Sequence, residues 1–252
     1  MAKQEGTVLL KGTMGDMNFY FREGEALART AGGGFTREAI KKGDNMVRVR
    51  ESNSEFAECS QVNKAFKMAL GPLLSGYRDG SLHSRLMQLF LKIKDCDLLS
   101  ERGKRTVQQG ISVRAGQQLL TAFHFTPKRP NLFGGESGFD WETLTFKVND
   151  FKVSEAQFPE EADYMEVTVG LIRFDFESLA YEHVFAEPLI IARDFHKDAF
   201  TIPCPDLPGG EGMLFYAVRV CFYRTVDGER HPVPESGHTG VRIMSVWEGT
   251  ED

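Results

Sequence analysis

The chain has 252 residues, 41% hydrophobic and 26% charged, an ordinary globular composition with room for one large domain or two modest ones. Residues 1–115 carry 19 basic against 13 acidic side chains, a net of +6, whereas residues 116–252 carry 11 against 23, a net of −12, a polarity that bears on partners rather than on fold. No apolar run approaches the roughly 18 residues of a membrane helix, and the opening MAKQEGTVLLKG lacks the pattern of a secretory leader, so the cytoplasm is the expected compartment.

Thr7 to Lys11 alternates as a short strand. Gly15-Asp16 then reads as a hairpin turn into the strand Met17 to Arg22, and Glu23-Gly24 turns the chain again into Ala26–Thr30. The glycine run Gly32–Gly34 matches neither dinucleotide nor P-loop spacing and reads as a joint. Thr36 is suited to cap a short helix that ends at Gly43.

Residues 48–105 hold the longest helical periodicity. Ser52 and Glu55 have capping-box spacing, and Phe56, Cys59, Val62, Phe66, Ala69, Leu70 and Leu73 form one apolar stripe. Gly71-Pro72 breaks or kinks that helix, and Asp79-Gly80 turns into a second one over Leu82–Leu98. Leu82, Leu86, Leu89, Phe90, Ile93 and Cys96 line one of its faces, with Met87, Leu91 and Leu98 on another.

The order of MAKQEG, KGTMGDMNFYF, ALARTAGGG, VRESNSEFAE and SERGKRTV over residues 1–107 resembles a family of uncharacterised proteins widespread in the Bacteroidetes. Asp16, Ser52, Ser54 and Ala57 depart from that pattern. The resemblance implies a bacterial source and a shared amino-terminal architecture. It carries no catalytic residue to this chain.

From Phe123 onward the period is two. Leu144, Phe146 and Val148 mark one strand. In YMEVTVGLIRFDF the apolar parity shifts at Gly170, which predicts a β-bulge there. Val184–Ala192 is a strand disturbed by Pro188. Leu214, Tyr216, Val218, Val220 and Phe222 form another, closed by the turn Asp227-Gly228, and Val241, Ile243 and Trp247 end the series. The expected class is α+β: an amino-terminal β-hairpin or meander, a central helical hairpin, and a carboxy-terminal antiparallel sheet or sandwich. The regions divide as 1–122 and 123–252, or run together as one continuous domain.

Chemistry-bearing spacings are absent. Cys59, Cys96, Cys204 and Cys221 form no C-x-x-C pair and read as free thiols. The six histidines include no HExxH or zinc spacing, and Asp194 with His196, on one strand face, reads as surface polarity ahead of a metal or acid–base site. No catalytic, cofactor-binding or metal residue is assigned, and a non-enzymatic role is expected. Arg48, Arg50, Arg102, Lys104 and Arg105 flank the helices and are the residues suited to contact nucleic acid or another partner. The leading expectation is a homo-oligomeric structural or interaction protein that self-associates through β edges and complementary charge. A nucleic-acid-associated binding protein is the alternative.

Overall fold

Short strands open the chain because its first 30 residues alternate and turn at fixed points. The structure, a computed structural model, describes residues 2–31, 36–233 and 237–247. It divides into two units, Met1–Arg50 and Glu51–Asp252.

The first unit is a meander of β1 (Ala2–Lys3), β2 (Gly12–Met14), β3 (Met17–Arg22) and β4 (Glu25–Thr30), hydrogen-bonded in the order β1-β4-β3-β2 and antiparallel throughout. Gly15-Asp16 and Glu23-Gly24 are the two hairpin turns expected of them. The strand expected over Thr7–Lys11 does not form. The place beside β3 is taken by Gly12–Met14, Ala2–Lys3 forms the opposite edge, and Leu10 is clasped by Gln4, whose Oε1 accepts the Leu10 N–H at 2.8 Å and whose Nε2 donates to its carbonyl at 3.2 Å. The joint expected at Gly32–Gly34 lies outside the described residues. Thr36 caps α1 (Arg37–Lys42) by accepting the Ala39 N–H at 3.1 Å, and Gly43 ends it.

The second unit is built in three layers. Helices α2 (Val47–Ala69, its first turn grouped with the first unit), α3 (Leu82–Lys94), α4 (Val107–Ile111) and α5 (Arg114–Thr121) form one. The chain continues as β5 (Glu136–Asp140), β6 (Thr145–Asn149), β7 (Tyr164–Phe174), β8 (Tyr181–Phe185), β9 (Leu189–Ala192), β10 (Phe200–Pro203), β11 (Met213–Val226), β12 (Glu229–Pro232) and β13 (Gly240–Val246). A six-stranded antiparallel sheet centres on the long pair β7–β11. Strands β12 and β13 share the other edge of β11, and β8 and β9 share the other edge of β7. The outer layer is the three-stranded sheet β10-β6-β5.

The helices cover the second face of β7 only beyond Gly170, and this explains the parity shift in its sequence. Val167, Val169 and Leu171 face the outer sheet's Phe146, Val148 and Ile202, while Ile172 and Phe174 face the helices' Phe66 and Phe90. The bulge expected at Gly170 is absent, because β7 pairs β11 without a shift from Tyr164 to Phe174. Gly170 instead makes room for a ring: a Cβ there would lie 2.6 Å from the Phe185 side chain. The register shift of this sheet occurs at Tyr216/Ala217, opposite β13. β6 starts one residue later than expected, since Leu144 has a φ of 47° and turns the chain into it. Pro188 separates β8 from β9, so the expected Val184–Ala192 strand is two.

The helical stripe holds from Cys59 to Leu73, with Val62, Phe66, Ala69 and Leu70 fully buried. Phe56, placed on that stripe from sequence, is 52% exposed, and Glu55 points inward instead. Helix α3 stops at Lys94, short of the expected Leu98. Asp97 accepts the N–H groups of Leu99 at 3.1 Å, Ser100 at 2.9 Å and Thr106 at 3.2 Å, which turns the chain aside and leaves Leu98 exposed.

Helices α3, α4 and α5 approach closely at Gly110. A Cβ there would sit 1.9 Å from the Ile93 carbonyl oxygen, which is backbone and cannot move aside. Gly110→Ala is therefore expected to destabilise the chain by at least about 1–3 kcal/mol. A thermal melt of the variant matching the wild type would refute this packing.

Candidate functional site

The Ser52–Glu55 pair is not a capping box. α2 begins at Val47, so both residues lie inside the helix, and Glu55 reaches across to α3 and the loop beyond it. Its Oε2 accepts from Lys94 Nζ at 2.6 Å, and its Oε1 accepts the Gly103 N–H at 2.7 Å. One turn on, Glu58 Oε1 accepts the Val107 N–H at 3.0 Å. Three carboxylates, Glu55, Glu58 and Asp97, thus fix the loop SERGKR against the helices.

This loop and α2 and α3 enclose a cleft of about 450 Å³ lined by Glu55, Phe56, Lys94, Asp95, Arg102 and Arg105. Lys94 lies on its floor and also donates to Asp95 at 2.7 Å. Burial pushes the Glu55 carboxyl up. The hydrogen bonds from Lys94 and Gly103 and the charges of Lys94 and Arg105 outweigh it, so the net shift is downward. Burial likewise works against the Lys94 ammonium, and its bonds to Asp95 and Glu55 reverse that and raise its pKa. Glu58 is shifted upward, chiefly by burial.

Of the residues singled out from sequence, the structure brings Arg102, Lys104 and Arg105 together on this loop. Each has an acidic neighbour: Arg102 with Glu51 at 3.3 Å, Lys104 with Glu101 at 3.0 Å, Arg105 with Asp95 at 3.6 Å. Arg48 is exposed in the first turn of α2. Arg50 donates to the carbonyls of Ile40 at 2.7 Å and Gly43 at 2.9 Å, completing the backbone at the end of α1.

Two polar groups escaped sequence reading because their partners are far apart in the chain. Arg129 is buried beside the outer sheet, its guanidinium 4.4 Å from the Phe222 ring centroid, and it donates to the carbonyls of Leu132, Ala156 and Gln157. Burial pulls its pKa down to about 10, and with only backbone acceptors it acts as a strap between loops. Arg219 on β11 meets Glu166 on β7 at 3.5 Å, and the Tyr223 hydroxyl donates to the same carboxylate oxygen at 3.3 Å.

The cysteines are free, with Cys59, Cys204 and Cys221 buried and Cys96 partly so. Burial, followed by the charge of Glu58, pushes the Cys59 thiol up to about 12, and burial takes Cys204 to about 11, so neither supplies a thiolate near neutral pH. Among the described residues no group of three or more His, Cys, Asp or Glu is placed to hold a metal, and Asp194 with His196 gains no third ligand. No helix among them is long and apolar enough to cross a membrane.

Comparison with protein-family models, curated proteins and solved structures found no match for this chain.

Proposed function

We propose that this is a non-enzymatic interaction protein that self-associates, with the amino-terminal sheet as its contact surface. The observation that carries the reading is the pattern of that sheet. Met14, Met17, Phe19, Phe21, Ala26, Ala28 and Thr30 fall on one face by register, with Thr13, Asn18, Tyr20, Arg22, Glu25, Leu27 and Arg29 on the other. On the β2–β3 side of the apolar face Met14 is 64% and Phe21 46% exposed, whereas Ala26 and Ala28 on β4 are buried. Exposed apolar surface of this kind marks an interaction site on an otherwise ordinary soluble chain. β2 is also an open strand edge, to which a further strand can hydrogen-bond.

Charge favours a second copy as the occupant. Residues 1–50 carry 9 basic and 6 acidic side chains, net +3, and residues 51–252 carry 21 and 30, net −9. The first unit of one copy therefore attracts the second unit of another, a heterologous contact that builds a ring or a filament according to closure. The Arg102, Lys104 and Arg105 cluster favours nucleic acid less, since each cation has an acidic neighbour.

Light scattering with electron microscopy across a salt series, on protein stripped of nucleic acid, tests the reading. Screening shortens from about 10 Å at 0.1 M to about 3 Å at 1 M salt, so assemblies should shrink without vanishing, because apolar and backbone contacts persist. A strict monomer at every concentration would sink self-association. Nucleic acid that co-purifies and is released by salt would put the Arg102–Arg105 loop in its place.

A further inference from the structure

On β11, Phe215 and Ala217 lie against the helices, but the residues that continue the same face, Arg219, Cys221 and Tyr223, floor a separate cavity of about 590 Å³. The turn after α2 supplies Tyr77 and Arg78 as one wall, and Val233 stands on another. We infer that this cavity binds a small organic monocarboxylate, its acid group on Arg219 and its apolar body between Tyr77, Tyr223 and Val233.

Arg219 carries the argument. Its Nη1 lies 3.5 Å from Glu166 and its Nη2 donates to the Ser75 carbonyl at 3.3 Å, both long for charge-assisted bonds, which run at about 2.7–2.9 Å. Its Nε is buried and has no protein acceptor. Nε is thus closed to a ligand too, and what Arg219 has to offer is its pair of terminal nitrogens, whose protein bonds are long and which fit a carboxylate with two parallel bonds. Glu166 is held from the other side by the Tyr223 hydroxyl, a phenol that burial pushes up to about 12 and that stays a donor.

Charge sets the sign. The charged residues that line the cavity are Arg219 and Arg78, and Glu166, beside Arg219 but outside the lining, offsets one of them, so the cavity favours an anion of low charge. The volume falls within the range of small-molecule sites, roughly 300–1,000 Å³, and the two tyrosine rings and Val233 offer apolar surface to the rest of the ligand.

Calorimetric titration with benzoate, its neutral analogue benzamide and inorganic phosphate tests the inference on the full chain. Benzoate should bind with a Kd of about 10 mM or tighter, and benzamide at least about tenfold more weakly, because it lacks the charge that the fork recognises. Arg219→Gln should abolish benzoate binding. Arg78→Gln, at an exposed position where folding is not at stake, should weaken it severalfold. No benzoate binding, equal binding of benzamide, tighter binding of phosphate, or unchanged binding in a folded Arg78→Gln or Arg219→Gln variant would each overturn it.

Discussion

Replacing Glu55 with Ala is expected to destabilise the second unit by about 1.5–3 kcal/mol, the usual worth of hydrogen bonds made to a buried charged group. Side-chain exposure is 6% for Glu55 and 10% for Lys94, and the ammonium keeps only its bond to Asp95 at 2.7 Å. The Gly103 N–H loses its acceptor in the same step, and the loop that carries Arg102 and Arg105 loses one of its anchors to α2. Replacing both partners, as Glu55→Leu with Lys94→Met, should recover part of the loss, since neither charge is then stranded. The same pair gives stability a pH dependence of definite sign. The Glu55 carboxyl is held below its ordinary value of 4.5, so its contribution is complete above that value and fades as pH falls through the lowered one. Thermal melts of wild type and Glu55→Gln should therefore converge on the acid side. A gap that stays constant into strong acid would remove Glu55 from the account.

Phe66→Ala should cost about 3–5 kcal/mol, read from urea midpoints. The ring is fully buried where the helical layer meets the six-stranded sheet. Its centroid lies 5.4 Å from that of Phe90 on α3, 5.2 Å from Phe174, 5.9 Å from Phe176 and 5.8 Å from Phe215. Removing it opens a cavity that four other rings border and that rigid strands on one side cannot close. A loss below about 1 kcal/mol would mean that the layers do not meet there.

The helical hairpin and the meander were legible in the sequence because their signals are local. Cys59, Val62 and Phe66 repeat at helical spacing, and the turns Gly15-Asp16, Glu23-Gly24 and Asp227-Gly228 stand between alternating segments. What misled were local patterns whose cause is distant. Ser52 and Glu55 have the spacing of a cap, yet Glu55 answers to Lys94 and Gly103, which lie 39 and 48 residues away. The start of α2 was hidden because Val47–Ser54 is mostly polar and exposed, with no apolar stripe to mark it. The parity change at Gly170 resembled a bulge because the helices cover the second face of β7 only beyond that point, so the apolar side changes while the register does not. The basic loop at Arg102–Arg105 was visible as a charge cluster, but its pairing with Glu51 and Asp95 was a matter of fold. Arg219, Glu166 and Tyr223 sit in alternating strands like any exposed polar residue, and only the register of β7 with β11 brings them together.

Self-association through the amino-terminal sheet is tested most directly by light scattering of wild type against Met14→Glu/Phe21→Glu over a concentration series. Both side chains are exposed, so the substitutions leave the buried core untouched. Wild-type mass should rise with concentration, while the variant, with two charges on the apolar face and the net charge of the first unit reduced, should remain monomeric. A wild-type protein that stays monomeric throughout, or a variant that assembles as readily as wild type, would contradict the proposed contact surface.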